Sequence, residues 1–498
     1  MKDEDLHLGE VSLNETGLSL PIDVNADTEA PAPREITADD LMDLATVEAE
    51  LDQRWSEVKI DPTLERVEML MDLLGHPEHA FPAIHVAGTN GKTSTVRMIE
   101  SLMRAFHRRT GRITSPHLQL VTERIAIDGQ PIHPRDYVRT WNEIKPYVEM
   151  VDAHSEANGG PKMSKFEVLT AMAYAAFADA PVDVAVVEVG MGGRWDATNV
   201  INSDVAVVMP VGLDHTDFLG DTIEKIAAEK AGIIKSRWDA SDLLTPPDNV
   251  AIVAEQDPAA MNVILEQAVS VDASVARAGV EFGVMDAAIA VGGQQISIRG
   301  LGGEYPDIFL PLSGEHQARN AATALAAVEA FFGAGAGRQL DLDTVREGFA
   351  TVQSPGRLER VRTAPTVFID AAHNPHGAAA LGKALERDFD FSRLIGVVAV
   401  LGDKDYVGVL RALEPHLSEI VVTTNSSPRA LAADDLAEEA RNVFGEERVH
   451  VAYSLPSAVE LAVELAEDTE VQSGSGVIVT GSVVTAGEAR TLFGKDPV

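Results

Sequence analysis

Apolar positions recur at helical spacing where the chain first becomes patterned. Leu41, Leu44, Val47 and Leu51 follow Thr37, a residue suited to cap a helix, and predict a helix running to Trp55. A second helix is expected after Asp61-Pro62, through LERVEMLMDLLG to the terminating Gly75. The period then changes. The short apolar run Ala83 to Ala87 predicts a buried strand, Gly88 to Thr93 a turn, and Val96, Ile99, Leu102, Met103 and Phe106 a helix. GRITSPHL follows at 111 to 118. Next, ERIAIDGQPI predicts a hairpin turning at Asp128-Gly129, and a helix is expected from Pro134 to about His154. KFEVLTAMAYAAFADA (helix), VDVAVVEV and DVAVVMP (strands) and TIEKIAAEKAGIIK (helix) then alternate, which predicts a mostly parallel sheet covered on both faces. Residues 280 to 311 break that rhythm with short β-rich runs and predict a small antiparallel appendage, before the Ala-rich helix RNAATALAAVEAFF.

TVQSPGRLERV at 351 to 361 interrupts both periods at Ser354-Pro355-Gly356 and is expected to be a connector. Beyond it the alternation restarts. TVFIDA, LIGVVAV, EIVVTT, RVHVA and GVIVTG predict strands, with helices from Pro375, from Tyr406, near Leu431 to Phe444 and near Leu455 to Ala466. The fold expected is therefore α/β in two domains, 37–353 and 354–498, behind a tail at 1–36.

Composition narrows the partners. With 40 basic and 78 acidic residues the net charge is −38, so the surface repels nucleic acid and anionic lipid, although a local loop can still capture ATP. Residues 1 to 50 hold 14 acids against 2 bases, and the stretch to about residue 36 is expected to be a disordered acidic extension that aids solubility. Without cysteine there is no disulfide and no Cys-ligated zinc. No apolar run approaches a membrane span, and MKDEDLHLGE is unlike a signal peptide, so a cytoplasmic protein is expected.

The strand–turn–helix at 83 to 106 also carries the clearest chemistry. Gly88, Thr89, Asn90, Gly91, Lys92 and Thr93 form GTNGKT, in which glycines admit backbone amides to an anion, the helix N-terminus attracts it, Lys92 reaches the outer phosphates and Thr93 offers a hydroxyl to magnesium. The commoner phosphate-loop pattern has glycine where Val86 stands, so this is the shorter form. In open α/β sheets ligands bind beyond the carboxyl ends of strands. Glu188 ends VDVAVVEV there, either as a magnesium ligand or as an acid capping the next turn. His215, Ser115 in TSPHL and Lys230 in AAEKAG each have a plain structural reading when taken alone. Arg357 and Asp370 together could clamp phosphates between two lobes.

GTNGKT, TSPHL, SKFEVLT, EVGMGGRWDATN, DH, EKAGI, HQARNAA, SPGRLER, DAAHNP and GDKD, in this order, resemble the folylpolyglutamate synthase and dihydrofolate synthase family of Mur-type ATP-dependent amide ligases. The resemblance covers roughly 40 to 498. It implies a Mur-ligase-type phosphate-loop ATPase domain followed by a Rossmann-like α/β domain, with ATP between them; because both lobes then contribute ATP contacts, SPGR is expected to be a hinge. It implies phosphate binding by Gly88 to Thr93, further ATP contacts from Asn320, Arg357 and Asp370, and magnesium ligation by Ser115, Glu188 and His215. Lys230 matches the lysine that such enzymes carry as a carbamate, a ligand for a second metal. Ser164, Lys165, Phe166 and Glu167, with Trp195, Asp196 and Ala197, match loops lining the pteroate site. Asp370, His373 and Ser482 match positions tied to turnover or glutamate handling. Trp195 departs from the family's usual leucine, which widens a stacking surface or narrows the pocket. The implied reaction joins L-glutamate to dihydropteroate and to reduced folates through an acyl phosphate, in a monomer acting on small molecules. A muropeptide ligase, a regulatory nucleotide switch and an acidic docking scaffold are the competing readings.

Overall fold

The run Ala83–Ala87 is buried along its whole length, as a strand must be when it is paired on both edges and covered on both faces. In the computed structural model it lies inside an eight-stranded sheet. The order is Ser274–Arg277, Val250–Val253, Val205–Val208, Ala83–Ala87, Val184–Glu188, Thr110–Ile113, Ile125–Ile127 and Gln130–Pro131. The first six are mutually parallel, and the last two pairings are antiparallel. The structure describes residues 34–55, 61–236, 249–467 and 474–498, together with the backbone of a two-stranded antiparallel ribbon, Ser12–Asn14 with Gly17–Ser19. Apart from that ribbon and residues 34–36, the expected acidic tail lies outside the described residues.

Helices cover both faces of this sheet. On one, Val96, Ile99, Leu102 and Met103 of the helix Lys92–Ala105 pack with the alanine face of Glu315–Phe331 and with Leu342–Ala350. Small residues let these helices approach closely: a Cβ on Gly348 would lie 3.1 Å from the Leu102 Cα. On the other face Leu44, Leu70, Trp141, Tyr174 and Phe177 close a second core. The expected appendage is a three-stranded antiparallel sheet of Gly283–Ala290, Gly293–Arg299 and Glu304–Leu310.

The second sheet has six strands in the order Glu359–Thr363, Thr366–Ile369, Ser475–Thr480, Arg393–Val398, Glu419–Val422 and Val449–Val451, parallel except for the first. Its strands also carry helices on both faces, with separate apolar cores. Among the described residues no helix is long and apolar enough to cross a membrane.

Three expected boundaries are corrected. The first helix is Ala38–Leu51 and stops short of Trp55, because none of residues 52 to 55 is a core position and Arg54 turns to pair with Asp152 at 2.9 Å. The helix expected through Ile233 and Ile234 is Ile223–Ala231; past Gly232 these two isoleucines leave the helical period and enter an apolar core. The connector is also shorter than 351 to 361, since Glu359 already pairs with Ile369 as a strand.

Candidate active site

Gly88 leaves the central strand with φ +149°, and a Cβ there would lie 2.5 Å from the Met209 Cβ, so only glycine fits. Gly91, at φ +86°, opens the helix Lys92–Ala105 against Asn320, whose Oδ1 would lie 2.9 Å from an added Cβ. The loop is thus fixed between a neighbouring strand end and the Ala-rich helix, with its helix N-terminus open toward an anion.

Two ammonium groups converge on that loop. Lys92 Nζ donates to the carbonyls of Gly88 at 3.0 Å and Thr89 at 3.3 Å. Lys230, buried on the helix Ile223–Ala231, donates to the same Gly88 carbonyl at 2.9 Å. Neither forms an ion pair among the described residues. Burial pushes the Lys230 amine down to about 7, and the neighbouring Lys92 charge adds to the shift. Two lysine amines beside a helix N-terminus, with no direct ion pair among the described residues, form a site suited to a multiply charged anion.

Glu188 closes the opposite side. Its Oε1 accepts from Thr93 Oγ1 at 2.9 Å, whereas its Oε2 is buried without a partner among the described residues. Burial raises this carboxyl above its ordinary range, against the pull of Lys92 and the Thr93 hydrogen bond. An orphaned carboxylate oxygen beside a threonine hydroxyl suits a hard cation such as Mg²⁺. The backbone of Ser115 faces the same carboxylate. The Ser115 loop is itself anchored by Glu123, whose oxygens accept the amides of Leu118 at 2.8 Å and of Gln119 and Leu120 at 3.1 Å.

His215 stands beyond the next strand in a left-handed conformation, φ 50°, with its side chain 34 % exposed. Burial of its ring lowers it to about 4, so the imidazole is neutral and able to ligate. Its neighbour Asp214 accepts from Lys404 Nζ at 3.2 Å and Asn374 Nδ2 at 3.4 Å, both carried by the second sheet. Asn374 also donates to Asn90 Oδ1 at 3.2 Å, and Asn90 Nδ2 lies 2.9 Å from His376 Nδ1. The phosphate loop is therefore touched directly from the second sheet.

Arg357 lines a small cleft with Thr93, Arg97, Ser115 and His117. Asp370 is spent on backbone: its oxygens accept the amides of Leu358 and Ala372, each at 2.8 Å, which fixes the turns carrying Arg357 and His373. His373 Nδ1 lies 3.0 Å from the Ala371 carbonyl, an acceptor only, so this nitrogen carries the proton and Nε2 keeps its lone pair. Burial lowers this histidine as well. Beside the loop a cavity of about 1060 Å³ is lined by Pro210, His316, Arg319, Asn320 and His376 among others.

The expected pteroate-loop residues gather around a neighbouring turn, with most of their polar atoms engaged. Ser164 and Glu167 form a capping box, Glu167 pairs with Arg66 at 3.0 Å, and Lys165 pairs with Glu48 and Asp52. Asp196 accepts the amides of Met191 at 2.8 Å and Thr198 at 3.0 Å, and Ala197 is buried. The rings of Phe166 and Trp195 are half-buried against Gly190 and Gly192. Ser482 caps the helix Val483–Leu492 through the Thr485 amide at 3.0 Å, while Gly481 donates to the Ala372 carbonyl beside His373. Asp214, Asn374, His376 and Lys404 escaped the sequence reading as site residues, although each follows a strand end, within or beside DH, HNP and GDKD.

Comparison with known proteins follows the same outline. The Mur ligase middle domain family matches residues 86–328, and the Mur ligase glutamate ligase domain family matches 356–483. The chain is 58% identical over 496 residues to a dihydrofolate synthase/folylpolyglutamate synthase of Mycobacterium tuberculosis, covering 97% of this chain and 100% of that one. It is 35% identical to the Escherichia coli protein of the same name over 439 residues, 88% and 94% of the two chains. The Mycobacterium tuberculosis folylpolyglutamate synthase complexed with ADP superposes with TM-score 0.87 at 58% identity, covering 92% of this chain and 100% of that one. The Escherichia coli protein in complex with DHPP and ADP gives 0.76 at 31% identity, covering 91% and 97%.

Proposed function

Because this chain belongs to the Mur ligase family, and within it to the dihydrofolate synthase/folylpolyglutamate synthases, we propose a division of labour for the residues around its phosphate loop. It is an ATP-dependent ligase that adds glutamate to folates. The observation that carries the site assignment is the convergence of the Lys92 and Lys230 amines on the Gly88 carbonyl beside the Glu188 oxygen that has no partner among the described residues.

The triphosphate would lie over Gly88 to Thr93, with Arg357 reaching it from the second sheet and the nucleoside in the cavity beside Asn320. An oxygen of the folate carboxylate attacks the γ-phosphorus, giving an acyl phosphate and ADP. The amine of glutamate then attacks the acyl carbon, and the tetrahedral oxyanion collapses to the amide and phosphate. Lys92 supplies charge where it builds up during phosphoryl transfer, and the remaining contribution is positioning. His373 would accept a proton from the attacking amine at Nε2, and Asp370 is a positioning residue that holds the backbone on either side. Ser482 would handle glutamate from the turn whose Gly481 amide donates to the Ala372 carbonyl.

Mg²⁺ would be held by Glu188, Ser115 and His215, near the Thr93 hydroxyl, and when bound it neutralises phosphate charge. A carbamate on Lys230 would add a ligand for a second ion. This amine has a carbonyl as its partner and sits near neutrality, the state in which it can react with CO₂. With ¹³C-bicarbonate, one carbamate resonance is expected in the parent and none in Lys230→Gln; the same spectrum from both proteins overturns that assignment. Ser164 to Glu167 and Trp195 to Ala197 would frame the pterin, with the rings of Phe166 and Trp195 as stacking faces.

We assign both acceptors, dihydropteroate and reduced folate, to this one site in a monomer. The test offers each separately with ATP, Mg²⁺ and glutamate, follows ADP release and reads products by mass. ADP release dependent on acceptor and glutamate, with one glutamate residue added in both wells, is the expected result. Release that ignores both substrates would mark a nucleotide switch, and a product from only one acceptor would remove the dual assignment.

A further inference from the structure

At the opposite end of the central strand from the phosphate loop, two imidazoles and a carboxylate face one another. The three-residue turn Pro77–His79 links the helix Glu65–Leu74 to Ala83–Ala87, and the ligand atoms of His76, Glu78 and His79 all lie within 4.8 Å of each other. His76, at φ 59°, folds back over the turn, and its ring stacks on that of His79 with centroids 4.8 Å apart and planes 11° from parallel. His76 Nδ1 is 2.9 Å and His79 Nε2 3.5 Å from the same oxygen, Glu78 Oε1. The remaining nitrogen of His76, Nε2, lies 3.2 Å from Asp72 Oδ1.

An ion pair with protonated histidine accounts for part of this arrangement. It leaves one feature over. Glu78 is only 4 % exposed and its Oε2 is buried with no hydrogen-bond partner among the described residues, a costly state for a carboxylate. A protonated His76 donates from both nitrogens, to Glu78 and Asp72, and a metal that takes the place of the Nδ1 proton leaves the Nε2–H hydrogen bond to Asp72 intact. A carboxylate on the far nitrogen of an imidazole is also how metal-bound histidines are oriented. Both rings remain open to solvent, 46 % and 64 % exposed, so an ion has a path in.

We propose that His76 Nδ1, His79 Nε2 and the Glu78 carboxylate bind a divalent transition metal of the zinc class, with Asp72 orienting His76 and water completing the coordination. Two imidazoles with one carboxylate suit Zn²⁺, Ni²⁺ or Cu²⁺ and discriminate against Mg²⁺, which takes oxygen ligands. The ion would brace the turn that feeds the central strand, about 17 Å of strand away from the nucleotide loop. It is therefore separate from the magnesium position at Glu188.

The test uses metal-stripped full-length protein saturated with Mg²⁺ and ADP, titrated with Zn²⁺ by calorimetry and, in parallel, with Co²⁺ by visible absorption. One equivalent of Zn²⁺ is expected beyond the nucleotide site. His76→Gln and His79→Gln should each weaken it by at least about 100-fold, and Asp72→Asn by roughly 10- to 100-fold. Zinc should raise the melting temperature of the parent and leave that of His79→Gln unchanged. His79 is exposed, so its replacement leaves the fold and zinc-free ligation intact. Absence of zinc heat in the parent, or equal zinc binding and equal thermal shifts in parent and His79→Gln, overturns the proposal.

Discussion

Lys92→Ala is expected to lower ATP-dependent ligation by roughly 10²- to 10³-fold, the cost of deleting one preorganised charge-stabilising donor. The fold should not suffer. The partners of this ammonium are the carbonyls of Gly88 and Thr89, and its removal relieves repulsion with Lys230, which shares the Gly88 carbonyl. Lys230 should consequently become easier to protonate. Steady-state ADP release and a melting curve on the same preparation check both parts. Near-normal turnover in Lys92→Ala would remove the residue from the chemistry, and a collapsed melting temperature would make it structural.

The second large effect is expected at Glu188. Glu188→Gln preserves shape and still accepts the Thr93 hydroxyl, yet it removes the charge that a metal requires. Turnover should fall by about 10²-fold, with the Mg²⁺ concentration needed for half-maximal rate rising by roughly 10- to 100-fold. Stability should move the other way. The folded carboxyl titrates above its ordinary value because it is buried. Its stabilising contribution is therefore complete below the unfolded pKa and is lost as pH rises through the folded one. Glutamine carries no such dependence. In metal-free buffer the variant should match the parent at pH 4 and melt higher than it at pH 8, and Mg²⁺ should narrow that gap by stabilising the parent alone. A variant that melts lower than the parent at pH 8 without metal would contradict this account of Glu188.

Much of this architecture is legible from spacing. Ala83–Ala87 occupies the span that its apolar run marks out, and the Asp128-Gly129 turn has both residues at positive φ, 52° and 78°, as a two-residue hairpin demands. The fold class and the family resemblance both hold. What spacing left unassigned has physical reasons. Leu342–Ala350 is nine residues long and contains Gly348, a poor helix former that is present because the Leu102 backbone crosses it. Val483–Leu492 opens on two valines, a strand-like start, but the Ser482 cap and burial against the second sheet make it helical. The strands Val250–Val253 and Ser274–Arg277 are four-residue runs that periodicity alone cannot distinguish from pieces of helix.

The site divides in the same way. GTNGKT is local and visible in sequence, because one strand, one turn and one helix define it. Asp214, Asn374, His376 and Lys404 acquire meaning only where the second sheet meets the first, and no local pattern encodes which distant side chains will touch. Asp370 shows the converse. Its strand-end position beside Arg357 is visible in sequence, whereas the two backbone amides that its oxygens accept are not.

The two lysines resting on one carbonyl sit in a molecule of formal charge −38. A polyanionic nucleotide is pushed away at long range and drawn in only within about 8 Å, the screening distance at physiological ionic strength. Arrival and departure should then respond to added salt through different charges. Screening the acidic exterior quickens encounter, while screening the lysines shortens residence, so the dissociation constant would conceal two opposed kinetic effects that rapid-mixing measurements separate.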